Sequence, residues 1–197
     1  MIRFVVVGHR AAASGDFKLD DIAGGAGRLD ILVRCVNSAF FLSHSIRTDV
    51  ELFLILQGGD AAPKTVRFIG SELRYLNPDE RSTASLIRNA LLKKLTDGEV
   101  RSSPGVYVSK RSFFDIIDSL KETSIVYLKE DGTDSRDLKF PDDATFVLGD
   151  DRDLTPDEEE AVMNCGPSKI CIGPLSLHAD HCMIVTLNEI DRQRSLL

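Results

Sequence analysis

The segment TFVLGDDRDLTPDEEEAVMNCGPSKICIG, residues 145–173, contains two short apolar runs that each end at a glycine. The runs are TFVLG (145–149) and KICIG (169–173), and a segment with helical features lies between them. A strand, a helix and a second strand in this order predict two parallel strands of one sheet. We therefore expect both strands to end at the same edge of the sheet, where α/β proteins bind their ligands.

The intervening segment LTPDEEEAVMN has the features of a helix N-terminus. Thr155 is a suitable N-cap, Pro156 fits the first helical position, and three acidic residues follow in the first turn. Acidic side chains in a first turn interact favourably with the helix dipole. We expect a helix that begins directly after Thr155.

The rest of the chain alternates between strand-like and helix-like segments. Further strands are predicted at IRFVVVG (2–8), VELFLILQGG (50–59), TVRFIG (65–70) as a hairpin at the sheet edge, and SIVYLKEDG (124–132). SSPGVYVSKRSF (102–113) indicates a loop or a short strand. Helices are predicted at GRLDILVRCVNSAFFLSHSI (27–46), NPDERSTASLIRNALLKKL (77–95) with Asn77 as its cap, SFFDIIDSLKE (112–122) and ADHCMIVTLNEIDRQ (179–193). This alternation predicts one doubly wound α/β domain over residues 1–197, with a mostly parallel sheet flanked by helices.

Composition narrows the class of protein. The 197 residues are 43% hydrophobic and 28% charged, without a low-complexity tract, which is typical of a globular domain. No segment reaches the roughly 18 apolar residues of a membrane span, and the start lacks a cleavage signal, so we expect a cytoplasmic protein without a membrane partner. The four cysteines lack paired spacing and are expected to be reduced. A net charge of −7 argues against sequence-blind binding of nucleic acid, although basic residues gather between residues 67 and 111.

The glycine-ended strands predict a slot for a flat ligand. A glycine lets the main chain approach such a ligand more closely than a residue with a Cβ atom does. The stretch after strand one, GHRAAASGD, lacks the G-x-G-x-x-G spacing of a dinucleotide site, and the chain has no P-loop. We therefore expect a nucleoside without a phosphate chain.

Three polar residues of the first helix share one face. Asp30, Arg34 and Asn37 are spaced i, i+4 and i+7, which indicates either a solvated ion pair or a polar stripe that faces the substrate. His9 and Arg10 follow strand one, and they are expected either to cap the sheet or to meet the substrate.

The start of the last helix allows two further interpretations. His178, His181 and Cys182 lie at i, i+3 and i+4, a spacing that suits zinc ligands. A fourth ligand would have to come from elsewhere, such as Asp180 or a distant cysteine, and we expect no metal. A covalent role for the Cys182 thiol is a weaker alternative, because the sequence gives no sign of a lowered thiol pKa.

Several long strings resemble a known family. LGDDRDLTPDEEEAV and SKICIGPLSLHADHCMIVTLNEIDR are similar to the knot region of the SPOUT methyltransferases, and specifically to the TrmY group of tRNA pseudouridine N1-methyltransferases. GRLDILVRCVNSAFFLSHSIR and FIGSELRYLNPDERSTASLIRNAL also resemble that group. The resemblance covers essentially the whole chain.

The resemblance implies a SPOUT-type fold in which the last helix passes through the preceding loop, forming a C-terminal deep trefoil knot, and it implies S-adenosyl-L-methionine as the cofactor. It also implies that backbone atoms from three segments and the Cys182 side chain surround the adenosyl group. The cofactor-binding residues expected on this basis are Leu128, Gly149, Ile172, Gly173, Pro174, Leu175, Ser176, Leu177 and Cys182. Transfer to N1 of pseudouridine at position 54 of the tRNA T loop is the activity that it implies.

The reaction requires that N1 of pseudouridine loses its proton, and a carboxylate is a suitable acceptor. The chain offers Asp30, Asp79 and Glu80, which the sequence does not separate, and all three also suit surface or capping roles. We place Asp30, Asp79 and Arg81 in the candidate catalytic set. Arginines form bidentate contacts with phosphates and bases, so the candidate substrate-binding residues are Arg10, Arg28, Arg34 and Arg74.

The family resemblance also implies a homodimer that completes the site, and tRNA as the partner. The apolar face of the last helix and the pair Phe113 and Phe114 are alternative contact surfaces. Two other functions stay open: a pseudouridine N1-methyltransferase that acts on rRNA during small-subunit biogenesis, which usually has a more basic surface, and a non-catalytic knotted protein that binds RNA.

Overall fold

The computed structural model describes residues 1–195 of the chain. Its strands and helices, in chain order, are β1 (Ile2–Ala12), α1 (Leu29–Phe40), β2 (Val50–Gly58), β3 (Lys64–Ile69), α2 (Glu80–Leu91), β4 (Val100–Ser103), β5 (Val106–Ser109), α3 (Phe113–Leu120), β6 (Ser124–Asp134), β7 (Ala144–Gly149), α4 (Pro156–Met163), β8 (Ser168–Cys171) and α5 (Ala179–Ser195). Short 3₁₀ turns follow β3 and β6.

All of these strands form one sheet in the order β4-β5-β3-β2-β1-β7-β6-β8. The neighbouring strands β2, β1, β7, β6 and β8 pair in parallel. Beyond β2, the strands β3, β5 and β4 extend the sheet with antiparallel pairs. The predicted α/β architecture with a mostly parallel sheet is confirmed. TVRFIG does pair antiparallel with β2, but it is not at the sheet edge, because β5 pairs with its other side. SSPGVYVSKRSF contains β5 and the end of β4, which form a hairpin.

The core lies in two layers, one on each face of the sheet. Helices α1, α2 and α5 pack on one face, where Phe4 and Phe146 stack with ring centroids 5.3 Å apart. Helices α3 and α4 cover part of the other face. The apolar face of α5 is buried in the first layer and Phe113 is buried in the second, whereas Phe114 is exposed, so Phe114 is the part of the suggested dimer contacts that lies at the surface.

Several predicted boundaries are wrong. Strand β1 continues to Ala12, so His9 and Arg10 lie within the strand and not after it. Helix α2 is capped by Asp79 and not by Asn77, because the Asp79 side chain accepts a hydrogen bond from the Ser82 amide at 2.7 Å. The helix ends at Leu91, four residues before the predicted end at Leu95.

The strand β8 lies very close to the end of β6. Ile170 of β8 aligns with Leu128 before an irregularity in β6 and with Thr133 after it. A Cβ atom at Gly132 would clash with the backbone of Ile170, so the β6 chain bends tightly around β8 at this point. Among residues 1–195, no helix is long and apolar enough to span a membrane.

Candidate cofactor site

A cavity of about 370 Å³ opens beside the parallel strands β7, β6 and β8, at the edge where β7 and β8 end. Its volume is in the range of small-molecule sites. Apolar side chains form much of its wall, and polar groups project at its rim. The lining residues are Arg28, Ile31, Arg34, Leu128, Lys129, Glu130, Leu148, Gly149, Asp150, Asp151, Arg152, Asp153, Ile170, Cys171, Ile172, Gly173, Leu175, Ser176, Leu177, His178, Ala179 and Cys182.

Eight of the nine residues predicted to bind the cofactor line this cavity. Pro174 is the exception, and it lies exposed in the same loop between β8 and α5. The Ser176 hydroxyl of that loop donates a hydrogen bond to Glu130 at 2.8 Å, which ties the loop to the end of β6. The structure therefore brings eight of the predicted cofactor-binding residues together around one cavity.

Gly149 and Gly173, which end the two predicted strands, have different surroundings in the structure. A Cβ atom at Gly149 would clash with the carbonyl oxygen of Arg152, so the turn after β7 excludes a side chain there. Gly173 has open space around it, and β8 ends two residues earlier, at Cys171. Close approach of a ligand is thus not needed to explain Gly149, contrary to the sequence argument.

The polar stripe of α1 forms one rim of the cavity. Asp30 is buried and accepts hydrogen bonds from Nε of Arg28 at 3.0 Å and from Nη1 of Arg34 at 2.9 Å. Arg34 also lies 3.8 Å from Oδ1 of Asp180 at the start of α5. Asn37 points away to α2, where it accepts a hydrogen bond from Thr83 at 2.9 Å. The ion pair predicted from the spacing is present, but its carboxylate is buried and also binds a second arginine, Arg28.

Two opposing influences act on the pKa of Asp30. Burial, the largest, raises it, whereas the hydrogen bonds from Arg28 and Arg34 lower it, and their sum leaves the pKa below its usual value. Asp30 is therefore a carboxylate at neutral pH.

Arg28 adopts a backbone conformation that side chains disfavour. It precedes α1 with φ 68° and ψ 31°, in the left-handed region, and it is the one non-glycine residue with positive φ among residues 1–195. Such a conformation costs about 1–2 kcal/mol. It turns the guanidinium toward Asp30 and to 3.7 Å from Asp151. Strain of this kind is concentrated at functional sites.

The other predicted substrate and catalytic residues are placed differently. Arg10 forms an ion pair with Asp151 beside the cavity. Asp79, as the cap of α2, is not among the cavity-lining residues. Arg74, Glu80 and Arg81 are exposed and also lie outside that lining. These assignments stay predictions.

Behind the cavity lies a buried polar network that the sequence did not predict. His9 Nε2 lies 2.9 Å from Oε2 of Glu158, and His9 Nδ1 lies 3.4 Å from Oδ1 of Asp150. Glu158 also accepts hydrogen bonds from Gln57 Nε2 at 2.7 Å and from the Thr155 amide at 2.8 Å. The network joins the ends of β1, β2 and β7 to the first turn of α4.

His9 and Glu158 shift each other's pKa values. Hydrogen bonds to Asp150 and Glu158 raise the pKa of His9 from 6.5 to about 9. Burial, the largest influence, raises the pKa of Glu158, but hydrogen bonds from His9, Thr155 and Gln57 outweigh it and lower that pKa to about 2. His9 is therefore an imidazolium ion between two carboxylates at neutral pH.

Cys182 lines the cavity from the first turn of α5. Burial raises the pKa of its thiol to about 11, so the thiol is neutral and a poor nucleophile. The rings of His178 and His181 stack on each other with centroids 5.5 Å apart. Within residues 1–195, no group of three or more His, Cys, Asp or Glu side chains has the arrangement of a metal site.

Comparison with known proteins identifies the family. Residues 1–195 match the family described as "Putative SAM-dependent RNA methyltransferase". The chain belongs to this family. Its members share the use of S-adenosylmethionine as methyl donor, in agreement with the predicted cofactor.

Close relatives in this methyltransferase family carry one name. The protein from Methanocella arvoryzae is 49% identical over 98% of this chain and 100% of its own length, and it is named tRNA (pseudouridine(54)-N(1))-methyltransferase. The relative from Haloferax volcanii has the same name and is 48% identical over 97% of this chain and 96% of its own length. The resemblance to the TrmY group is confirmed.

The fold of the family member described here also matches a solved structure. The crystal structure of Archaeoglobus fulgidus Nep1 bound to S-adenosylhomocysteine superposes with a TM-score of 0.66 and 13% identity over 98% of both chains. At this identity the match supports the fold alone.

The residues around the cavity fit the methyl donor of the family. Leu128, Ile170 and Ile172 give an apolar surface suited to a purine ring. The buried Oδ2 atom of Asp150 has no hydrogen-bond partner in the described part of the chain, and Asp150 is one of the residues that line the cavity. The site thus combines apolar walls with a few polar groups, as nucleoside sites do.

Proposed function

We propose that this protein transfers a methyl group from S-adenosylmethionine to N1 of pseudouridine 54 in tRNA. The observation that carries the proposal is the cavity at the sheet edge, which has an apolar slot on one side and the Arg28–Asp30–Arg34 cluster on its rim. The acceptor base is inferred from the names of the relatives.

The residues assigned to the cofactor are those predicted from the sequence. S-adenosylmethionine supplies an electrophilic methyl group when it is bound. The apolar wall of Leu128, Ile170 and Ile172 faces its adenine, and the backbone of the loop 172–177 completes the slot. Positioning of N1 next to the methyl carbon is expected to supply much of the rate enhancement.

We assign Asp30 as the proton acceptor. Loss of the N1 proton to a carboxylate oxygen of Asp30 would accompany formation of the bond from N1 to the methyl carbon, and the bond from that carbon to sulfur would break, so that S-adenosylhomocysteine leaves. Among the carboxylates considered from the sequence, Asp30 is the one whose arginine partners line the cavity. Because the pKa of Asp30 is lowered, it is ionised and ready to accept a proton, although it is a weak base.

Arg28 and Arg34 are assigned to the RNA. Their guanidinium groups lie on the cavity rim and are partly exposed, so they reach a base or a phosphate while they hold Asp30. Arg10 and Arg74 are further predicted contacts. The net charge of −7 means that RNA binding depends on such local clusters and not on a general positive field.

The proposal includes a deep trefoil knot near the C-terminus. Support comes from β8, where Ile170 aligns with β6 both before and after its irregularity, while Gly132 leaves room for the crossing. Single-molecule stretching from both termini tests the knot. A threaded chain keeps a shorter contour length after full extension than an unthreaded chain of the same sequence.

A cytoplasmic homodimer is also proposed. Exposed apolar side chains lie on the outer side of α5 at Ile184 and in the preceding loop at Leu175 and Leu177, and Leu175 and Leu177 also line the cavity. A second copy placed there would cover apolar surface and bring residues of both subunits to the site.

Mass spectrometry of tRNA T-loop fragments tests the activity. The protein is incubated with S-adenosylmethionine and with tRNA that contains either pseudouridine or uridine at position 54. We expect one added methyl group, located on the base, in the pseudouridine substrate alone. Methylation of the uridine substrate, or of neither tRNA, would exclude the proposed reaction.

A further inference from the structure

Asp150 is a buried carboxylate whose second oxygen is not satisfied within the protein. It directly follows β7, its side chain is fully buried, and it lines the cavity. Oδ1 lies 3.4 Å from His9 Nδ1 and accepts a hydrogen bond from the Arg152 amide at 3.3 Å. Oδ2 has no hydrogen-bond partner within residues 1–195. A buried acceptor without a donor is costly, so its position indicates that a ligand in the cavity supplies the donor.

We propose that Asp150 binds the methyl donor by accepting a hydrogen bond from a ribose hydroxyl of its adenosyl group through Oδ2. Asp150 adjoins Gly149, which lines the cavity at the end of β7. This inference rests on the cofactor part of the proposed function, and it is independent of which RNA base is methylated.

The chemistry of adenosine selects the sugar as the donor. Adenine presents ring nitrogens that accept hydrogen bonds and a single amino group that donates, so a carboxylate beside most of its edge is repelled. The ribose carries two neighbouring hydroxyl donors. A carboxylate near the end of a strand pairs with ribose hydroxyls in other nucleotide-binding sheets for the same reason. The apolar wall of Leu128, Ile170 and Ile172 is left for the purine.

His9 and Glu158 are positioning residues for Asp150. His9 bridges Oδ1 of Asp150 and Oε2 of Glu158, and Glu158 is held in turn by Gln57 and the Thr155 amide. These contacts hold the Asp150 carboxylate from the side of Oδ1, which leaves Oδ2 for the ligand. A purely structural role, in which the network anchors α4 to the sheet, accounts for each of these hydrogen bonds but not for the unsatisfied Oδ2.

Calorimetric titration with S-adenosylhomocysteine tests the assignment. Asp150→Asn keeps the shape of the side chain and removes its charge, and we expect an affinity about 10- to 100-fold weaker than that of the wild type. Asp157→Asn is the matched control, because Asp157 is an exposed aspartate of α4 outside the cavity lining, and its effect should stay within about twofold. Equal affinity of Asp150→Asn and the wild type overturns the proposal.

Analogues of S-adenosylhomocysteine that lack the 2′ or the 3′ hydroxyl identify the donor group. The wild type should bind one of them about 10-fold or more weakly, whereas Asp150→Asn should bind that analogue and the parent compound alike. If the wild type binds S-adenosylhomocysteine and both analogues equally well, the proposal is overturned without the need for any variant. So does an Asp150→Asn variant that keeps full discrimination, since the carboxylate would then bind another group, such as the ammonium of the methionine part.

Two further measurements separate this inference from its alternatives. In His9→Gln the discrimination between parent compound and analogue should shrink, a result that a merely structural role of His9 does not produce. Retained discrimination in His9→Gln contradicts its positioning role. A wild type that binds no S-adenosylhomocysteine contradicts the proposed function itself, whereas normal binding with an unaffected Asp150→Asn contradicts only the role of Asp150.

Discussion

The imidazole of His9 lies between two carboxylates, with its Nε2 2.9 Å from Oε2 of Glu158. His9 is in β1 and Glu158 is in the first turn of α4, so this contact fastens the helix to the sheet directly behind the cavity. Both groups are charged at neutral pH, because the pKa of His9 is raised to about 9 and that of Glu158 is lowered to about 2. The contact therefore makes the stability of the protein depend on pH.

The first prediction concerns this pH dependence. The pKa of His9 is higher in the folded protein than its usual 6.5, so its contribution to the free energy of unfolding is complete below pH 6.5 and is lost as the pH rises through about 9. We expect His9→Gln to destabilise the protein by about 1–2 kcal/mol at the lower end of this window and by much less at the upper end. Urea unfolding at several pH values measures the difference.

His44→Gln is the control, because His44 is exposed in the loop after α1. Its free energy of unfolding should follow that of the wild type at every pH. A constant difference between His9→Gln and the wild type across the window would show that the ion pair with Glu158 does not form in solution.

The second prediction concerns the proton acceptor. Asp30→Asn should lower the rate of a single methyl transfer by about 10²- to 10⁴-fold, because an amide cannot accept the N1 proton. Affinity for S-adenosylhomocysteine should stay the same, since Asp30 is on the α1 rim and not among the residues that line the cavity. Rapid-quench kinetics with excess enzyme isolates this step.

Asp79→Asn provides the comparison for Asp30. Asparagine is also a good N-cap, so α2 should keep its stability. We expect the rate of methyl transfer to fall less in Asp79→Asn than in Asp30→Asn. A larger loss in Asp79→Asn than in Asp30→Asn would transfer the role of proton acceptor to Asp79.

Much of the fold follows from patterns local in the sequence. The alternation of apolar runs and amphipathic segments located the helices and most of the strands, and Thr155 marked the start of α4 correctly. The cavity followed as well, because parallel strands that alternate with helices end at one edge of the sheet. The edge predicted that the end of β7 and the loop after β8 lie together, whereas Leu128 of β6 was expected from the family resemblance.

Other features of the site depend on contacts that the sequence does not encode locally. His9 meets Asp150 and Glu158 across separations of 141 and 149 residues, and no periodicity predicts such a contact. The strained backbone of Arg28 also gave no signal, since Gly27 before it was the more obvious turn residue. Asn77 and Asp79 both suit the N-cap position of α2, so the sequence does not distinguish them. The observed start of the helix at Glu80 shows that Asp79 is the cap.

The third prediction isolates the strain at Arg28. Arg28→Gly and Arg28→Ala remove the same side chain, so both lose the ion pair with Asp30, but only glycine adopts the positive φ of this position without cost. We expect Arg28→Gly to be more stable than Arg28→Ala by about 1 kcal/mol. Thermal and urea unfolding of the two variants give the difference.

Activity of the same pair separates backbone from side chain. Both variants should lose methyl transfer to a similar extent, because the guanidinium is absent from each. If alanine proves as stable as glycine, the left-handed conformation is not maintained in solution. If glycine alone keeps activity, the role of Arg28 lies in its backbone and not in its charge.

The fourth prediction concerns the surface on which two copies meet. Ile184 on α5 is 52% exposed and Phe114 on α3 is 48% exposed, and they lie on helices that pack against opposite faces of the sheet. We expect Ile184→Glu to weaken dimerisation by about 10-fold or more, because a buried charge replaces an apolar contact. Phe114→Glu should leave the dimer intact. Sedimentation equilibrium gives the masses, and circular dichroism verifies that each variant is folded. A monomeric Phe114→Glu together with a dimeric Ile184→Glu would move the interface to the α3 side, and a monomeric wild type would require that one chain forms the complete site.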